Sequence, residues 1–143
     1  MSRESAPLAD HYLRLLLPYA SVEIQEVGGV PLSRGPARVM AQEGVDIMKR
    51  LRAGAFVIAL DRTGRQMSSE HFSATLASLK LAGYSDFQFI VGGALGLGAD
   101  VLAAAQERLS FGPMTFPHQL ARCMLLEQLY RAFRIEKGEP YHY

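Results

Sequence analysis

Apolar residues recur along this chain in two rhythms, one that suits helices and one that suits strands, and the rhythms alternate. Ala9 to Leu17 has helical spacing and stops at Pro18, whereas Val22-Glu23-Ile24-Gln25-Glu26-Val27 alternates as a half-buried strand does. Gly28 to Pro36, with Gly28, Gly29, Pro31, Arg34, Gly35 and Pro36, predicts an exposed loop. Helical spacing returns from Ala37 to Leu51 through Val39, Met40, Val45, Ile47, Met48 and Leu51. Ala55 to Leu60 is a nearly unbroken apolar run, the pattern of a strand covered on both faces. Ser69, Glu70 and Phe72 open a helix to about Leu81, Phe87 to Val91 reads as another buried strand, and Ala99 to Leu109 as an Ala-rich helix. Strands alternating with helices predict an α/β fold, a mostly parallel sheet with helices on both faces.

The last predicted helix, His118 to Ile135, is apolar around far more than one face, through Leu120, Ala121, Met124, Leu125, Leu126, Leu129, Tyr130, Ala132 and Phe133. A surface helix of a monomer shows one stripe. The expectation is therefore that one face packs on the chain's own sheet and another on a second copy, giving a two-fold homodimer. A helix sunk in the core of one chain is the competing account.

Composition narrows the class. A chain of 143 residues, 49% hydrophobic and with formal charge +1, fits one globular domain, and near-neutral charge argues against a nonspecific coat on nucleic acid. No apolar run reaches the roughly 18 residues of a membrane span, so a cytoplasmic protein is expected. Cys123 is the single cysteine, which excludes an internal disulfide and a thiolate pair for zinc. His11, His71, His118 and His142 are scattered without metal-ligand spacing, so no metal is expected.

The densest chemical signal is Gly92-Gly93-Ala94-Leu95-Gly96-Leu97-Gly98, directly after the strand ending at Val91. Glycines there admit positive φ and let a ligand reach main-chain groups, and open α/β sheets bind ligands at the carboxyl ends of their strands. The loop lacks the dinucleotide fingerprint, because Val101 stands where the third glycine belongs, and it lacks a Gly-Lys-Ser/Thr phosphate loop. On spacing alone it is as compatible with a tight structural turn as with a site. Ser68 and Ser69 sit in no nucleophile elbow.

Together, Leu60-Asp61-Arg62-Thr63-Gly64, Val91-Gly92-Gly93 with Gly96-Leu97, Leu109-Ser110-Phe111, Met114-Thr115-Phe116-Pro117-His118-Gln119, Glu127-Gln128-Leu129-Tyr130-Arg131-Ala132 and Pro140-Tyr141-His142 resemble the RlmH-type ribosomal RNA methyltransferases of the SPOUT class. The resemblance spans about residues 8 to 143. It implies an α/β SPOUT-type parallel sheet with a C-terminal trefoil knot, a homodimer, S-adenosylmethionine as donor, and methylation at N3 of a pseudouridine in 23S ribosomal RNA, with free RNA or the assembled ribosome as partner. Periodicity alone implies an ordinary unknotted sheet.

By the same resemblance the donor lies on Leu60, Gly93 and the stretch Gly112, Pro113, Met114, Thr115, Phe116 and Pro117, while His118, Glu127, Arg131, Tyr141 and His142 are the catalytic candidates. Each has a plainer reading. Glu127 and Arg131 are four apart on a helix and can simply pair. His118 can be an ordinary first-turn residue, and Tyr141 and His142 lie in a terminal tail. Arg34, Arg38, Arg62 and Arg65 are candidate phosphate contacts or solvated charge. Two departures stand out: the family's N-terminal strand is expected to be missing, and Tyr143 stands where a basic residue commonly ends the tail. The alternative function is a homologue that binds cofactor or RNA without efficient turnover.

Overall fold

The structure, a computed structural model, describes residues 3–27, 32–93 and 95–140. The element order is α1 (Ala6–Leu16), a 3-10 turn (Leu32–Arg34), α2 (Pro36–Arg50), β1 (Phe56–Gln66), α3 (Ser69–Leu81), β2 (Phe87–Val91), α4 (Ala99–Ala104), β3 (Glu107–Ser110) and α5 (His118–Glu136). The chain forms two compact units, residues 25–66 with 84–115, and residues 1–24 with 67–83 and 116–143.

The first unit carries a three-stranded parallel sheet in the order β2-β1-β3. β1 is central, so Val57, Ile58 and Ala59 are buried, as the unbroken apolar run predicts. Val57 and Ile90 from the sheet meet Ile47 of α2 and Val101 of α4 in the core, with Val27, Leu51, Leu97 and Ala105 packed around them. Pro36 occupies the first turn of α2, where its missing N–H costs nothing, and Gly35 supplies the φ of +99° that brings the chain into it. At the start of the sheet Arg52 donates to both oxygens of Asp86, at 2.7 and 2.6 Å.

The second unit is helical. α5 lies between α1 and α3, and its buried residues are Cys123, Leu125, Leu126, Leu129 and Ala132. Ser73 of α3 donates to the Ala132 carbonyl at 2.7 Å, and Ser5 donates to Gln119 at 2.6 Å. Ser68 caps α3 by accepting from the His71 N–H at 3.0 Å, which gives this serine a structural role.

Three sequence expectations change. Residues 22–27 keep alternating exposure but join no ladder, because a strand needs a neighbour and β1, β2 and β3 pair only with one another. The helix expected from Ala99 to Leu109 ends at Ala104, and Glu107–Ser110 forms β3. Gln106 directs this switch: its N–H donates to the Val57 carbonyl at 2.9 Å, its side-chain oxygen accepts from the Val57 N–H at 2.8 Å, and its amide donates to the Ala55 carbonyl at 3.3 Å. Pairing with β1 outweighs the helix propensity of alanines. Finally, α1 and α3 of the same chain cover faces of α5, so its broad apolar surface does not by itself call for a second copy.

Candidate functional site

Parallel pairing puts Leu60 level with Val91 on one side and Leu109 on the other. Three adjacent strands about 4.8 Å apart are therefore level at this point: β2 ends there, β3 ends one residue on, and β1 departs from the ladder there before rejoining it at Arg65. Leu60, Gly93 and the Gly112 stretch, far apart in sequence, all follow from that one register.

Each loop is held by a specific device. After Leu60 the ladder shifts: Leu109 faces Leu60 and then Arg65, so residues 61–64 are skipped. Gly64 closes this excursion against β3, where a β-carbon would stand 2.7 Å from both the carbonyl carbon and the oxygen of Arg108. In the glycine loop the Gly96 N–H donates to the Gly93 carbonyl at 3.0 Å, with Gly96 at φ +79°. A β-carbon on Gly92 would lie 2.9 Å from the Gly96 carbonyl carbon, so the chain folds back here only because Gly92 carries no side chain. Beyond β3, buried Ser110 ties two loops together by donating to the Arg62 carbonyl at 2.9 Å and accepting from the Gly112 N–H at 2.9 Å. Gly112 has φ +117°, which disfavours any other residue. Met114 and Phe116 are large apolar residues left exposed on the third loop.

These loops offer main-chain groups, apolar cover and one carboxylate. Glu43 of α2 stands above Gly93, with its two oxygens 3.1 and 3.4 Å from where a β-carbon would be. That donor set fits an adenosine-bearing sulfonium and is a poor cradle for a phosphate chain, which calls for backbone N–H nests and a lysine. A cavity of about 580 Å³ lies elsewhere, between α2 and α4, and none of the expected donor-binding residues lines it. It is lined by Met40, Val45, Met48 and Val101 with Lys49 and Asp100, and we assign it no role in the chemistry because it offers mainly apolar side chains.

In the helical unit, His118 is the exposed first residue of α5. Glu127 and Arg131 do pair: Arg131 Nη2 is 3.1 Å from Glu127 Oε2, and both side chains are over four-fifths buried. Arg131 Nε also reaches both carboxylate oxygens, and Gln128 donates to Glu127 at 3.1 Å while accepting from Ser69 at 2.7 Å. A carboxylate so engaged is suited to aiming a guanidinium. Arg134 donates from Nε to the Pro140 carbonyl at 3.0 Å and from Nη1 to Glu139 at 3.1 Å and Tyr19 at 3.3 Å, the Tyr19 contact holding its guanidinium firmly charged. The chain is thereby fixed just before the tail. Tyr141 and His142 lie outside the described residues.

Sequence reasoning missed Glu43, Ser110 and the reason for Gly64. Ser110 and Gly64 stood within recognised motifs, but only the sheet register shows what they touch. Glu43 carried no signal, being one acidic residue on an amphipathic helix.

A family model described as "Predicted SPOUT methyltransferase" matches residues 1–142. The chain is 50% identical to the ribosomal RNA large subunit methyltransferase H of Pelotomaculum thermopropionicum, over 94% of this chain and 88% of that protein. It is 47% identical to the protein of the same name from Carboxydothermus hydrogenoformans, over 92% and 86%, and 46% identical to that from Moorella thermoacetica, over 93% and 86%.

Proposed function

Because this chain belongs to the SPOUT methyltransferase family, we propose that it methylates N3 of a pseudouridine in large-subunit ribosomal RNA, with S-adenosylmethionine as the donor. The observation that supports this reading furthest is the level exit of three loops from β2, β1 and β3, in a chain so similar to ribosomal methyltransferases. Leu60, Gly93 and Gly112 to Pro117 hold the donor, with backbone groups on the adenine edge and Met114 and Phe116 closing over its apolar surface.

The bound donor supplies a methyl group already activated by positively charged sulfur. The chain's residues have to align N3 with that methyl and remove the N3 proton as the new N–C bond forms and the C–S bond breaks. Imidazole titrates near neutral pH, which makes His142 the proposed acceptor, with His118 and Tyr141 on the substrate side. Glu127 holds Arg131 ready for an RNA phosphate or base.

The same reading makes the protein a cytoplasmic, knotted homodimer of one functional domain that acts on the ribosome. Among the described residues no helix is long and apolar enough to cross a membrane, and no His/Cys/Asp/Glu group could hold a metal. The alternative of an inactive homologue is not favoured, since the relatives are named as methyltransferases across the matched length. The test is transfer of labelled methyl from S-adenosylmethionine to purified ribosomes, followed by nuclease mapping. Label at N3 of one large-subunit pseudouridine is expected; label confined to the small subunit, or none despite bound donor, contradicts the reading.

A further inference from the structure

We propose that Glu43 is a donor-binding residue whose carboxylate faces the positively charged sulfonium end of S-adenosylmethionine and lets the site prefer the charged donor over its neutral thioether product. The inference rests on the placement of the donor at Gly93. Glu43 lies on α2, outside all the loops that the sequence marks as the site, and its carboxylate oxygens are 3.1 and 3.4 Å from where a β-carbon on Gly93 would stand. It is half-buried, and no hydrogen bond or ion pair among the described residues engages it. A half-buried carboxylate with no partner among the described residues is available to a bound cation.

Gly93 carries no side chain to stand between the carboxylate and a ligand lying on the backbone there, and the Glu43 oxygens are the nearest atoms to the space a β-carbon would fill. The other loop residues named for the donor, Leu60, Gly112, Pro113, Met114, Thr115, Phe116 and Pro117, are all uncharged. Methyl transfer removes the positive charge from sulfur while the adenosine, the amine and the carboxylate of the ligand stay the same. A fixed negative charge beside sulfur therefore separates substrate from product by electrostatics alone, tightening one and releasing the other.

Calorimetric titration of the full chain with S-adenosylmethionine, S-adenosylhomocysteine and sinefungin, whose amine stands in place of the sulfonium methyl, tests this. Glu43→Gln is expected to weaken S-adenosylmethionine and sinefungin by about tenfold, the effect of one charge-assisted contact, and S-adenosylhomocysteine by less than about twofold, at an unchanged melting temperature. Equal losses for all three ligands overturn the proposal by placing the carboxylate on the shared ribose or adenine, and unchanged affinities overturn it outright. If Glu43→Gln fails to fold, the wild-type ratio of donor to product affinity decides: it is expected to fall as salt rises, and a salt-independent ratio overturns the proposal. Wild-type protein that binds neither donor nor product refutes the placement at Gly93 itself, a result distinct from any failure of Glu43.

Discussion

Gly64 is required by what passes it rather than by its own torsions. A β-carbon at 2.7 Å from the Arg108 main chain can be relieved only by moving β1 away from β3. Gly64→Ala is expected to cost about 1–3 kcal/mol, the range of overpacked sites, and urea denaturation showing a loss below about 0.5 kcal/mol would remove this account. Gly93 is different, because the atom a β-carbon would meet is the end of the flexible Glu43 side chain. Gly93→Val should therefore leave the fold intact while abolishing S-adenosylmethionine binding, and unchanged affinity would take the glycine loop out of the site. Asp86 adds a pH effect. Its hydrogen bonds to Arg52 hold its carboxyl below the ordinary range, so the pair contributes above the unfolded value of about 3.9 and the contribution fades as pH falls through the lowered folded value. The stability gap between wild type and Asp86→Asn should be small, constant from neutral pH to about pH 5, and gone in strong acid.

At the scale of elements, the predicted α1, α2, α3 and α5 and the strand Phe87–Val91 lie within a few residues of the observed bounds. These are the segments whose period is carried by their own buried residues. Residues 22–27 and Glu107–Leu109 differ from their sequence patterns because strand formation is a property of pairs: the first has the alternation without a neighbour, and the second has an alanine-rich approach but a neighbour in β1. The broad apolar pattern of α5 has a cover within its own chain, since α1 and α3 both pack on it. Leu125 is 5% exposed in a helix flanked by α1 and α3, so Leu125→Ala should cost about 2–5 kcal/mol. Thermal melts at several protein concentrations check the cause. A cost independent of concentration is expected for packing within one chain, and one that vanishes on dilution would return Leu125 to a dimer interface.

For the whole molecule, the loop residues marked by the resemblance lie at one end of the sheet, yet nothing local in Leu60, Gly93 and Gly112 reveals that they stand at or just beyond level positions on adjacent strands. Pairing partners are set by long-range register, which a single sequence does not display. The proposed tail carries its own test. Deleting residues 141–143, or His142→Ala, should lower single-turnover methylation of ribosomes far more than S-adenosylmethionine affinity, and a wild-type rate would exclude both a catalytic and a positioning role.

The double engagement of Leu109, first with Leu60 and again with Arg65, has a consequence for how the molecule breathes. Amides inside a central strand normally exchange with solvent only when the whole sheet opens. Here the backbone of residues 61–64 is bypassed by the ladder while both flanks are locked. Deuterium should therefore enter this short stretch quickly, by local opening, and leave the neighbouring Ile58 and Ala59 amides among the slowest in the chain. Ligand binding at this end of the sheet would then appear first as slowed labelling at those four amides, before any change in global stability is measurable.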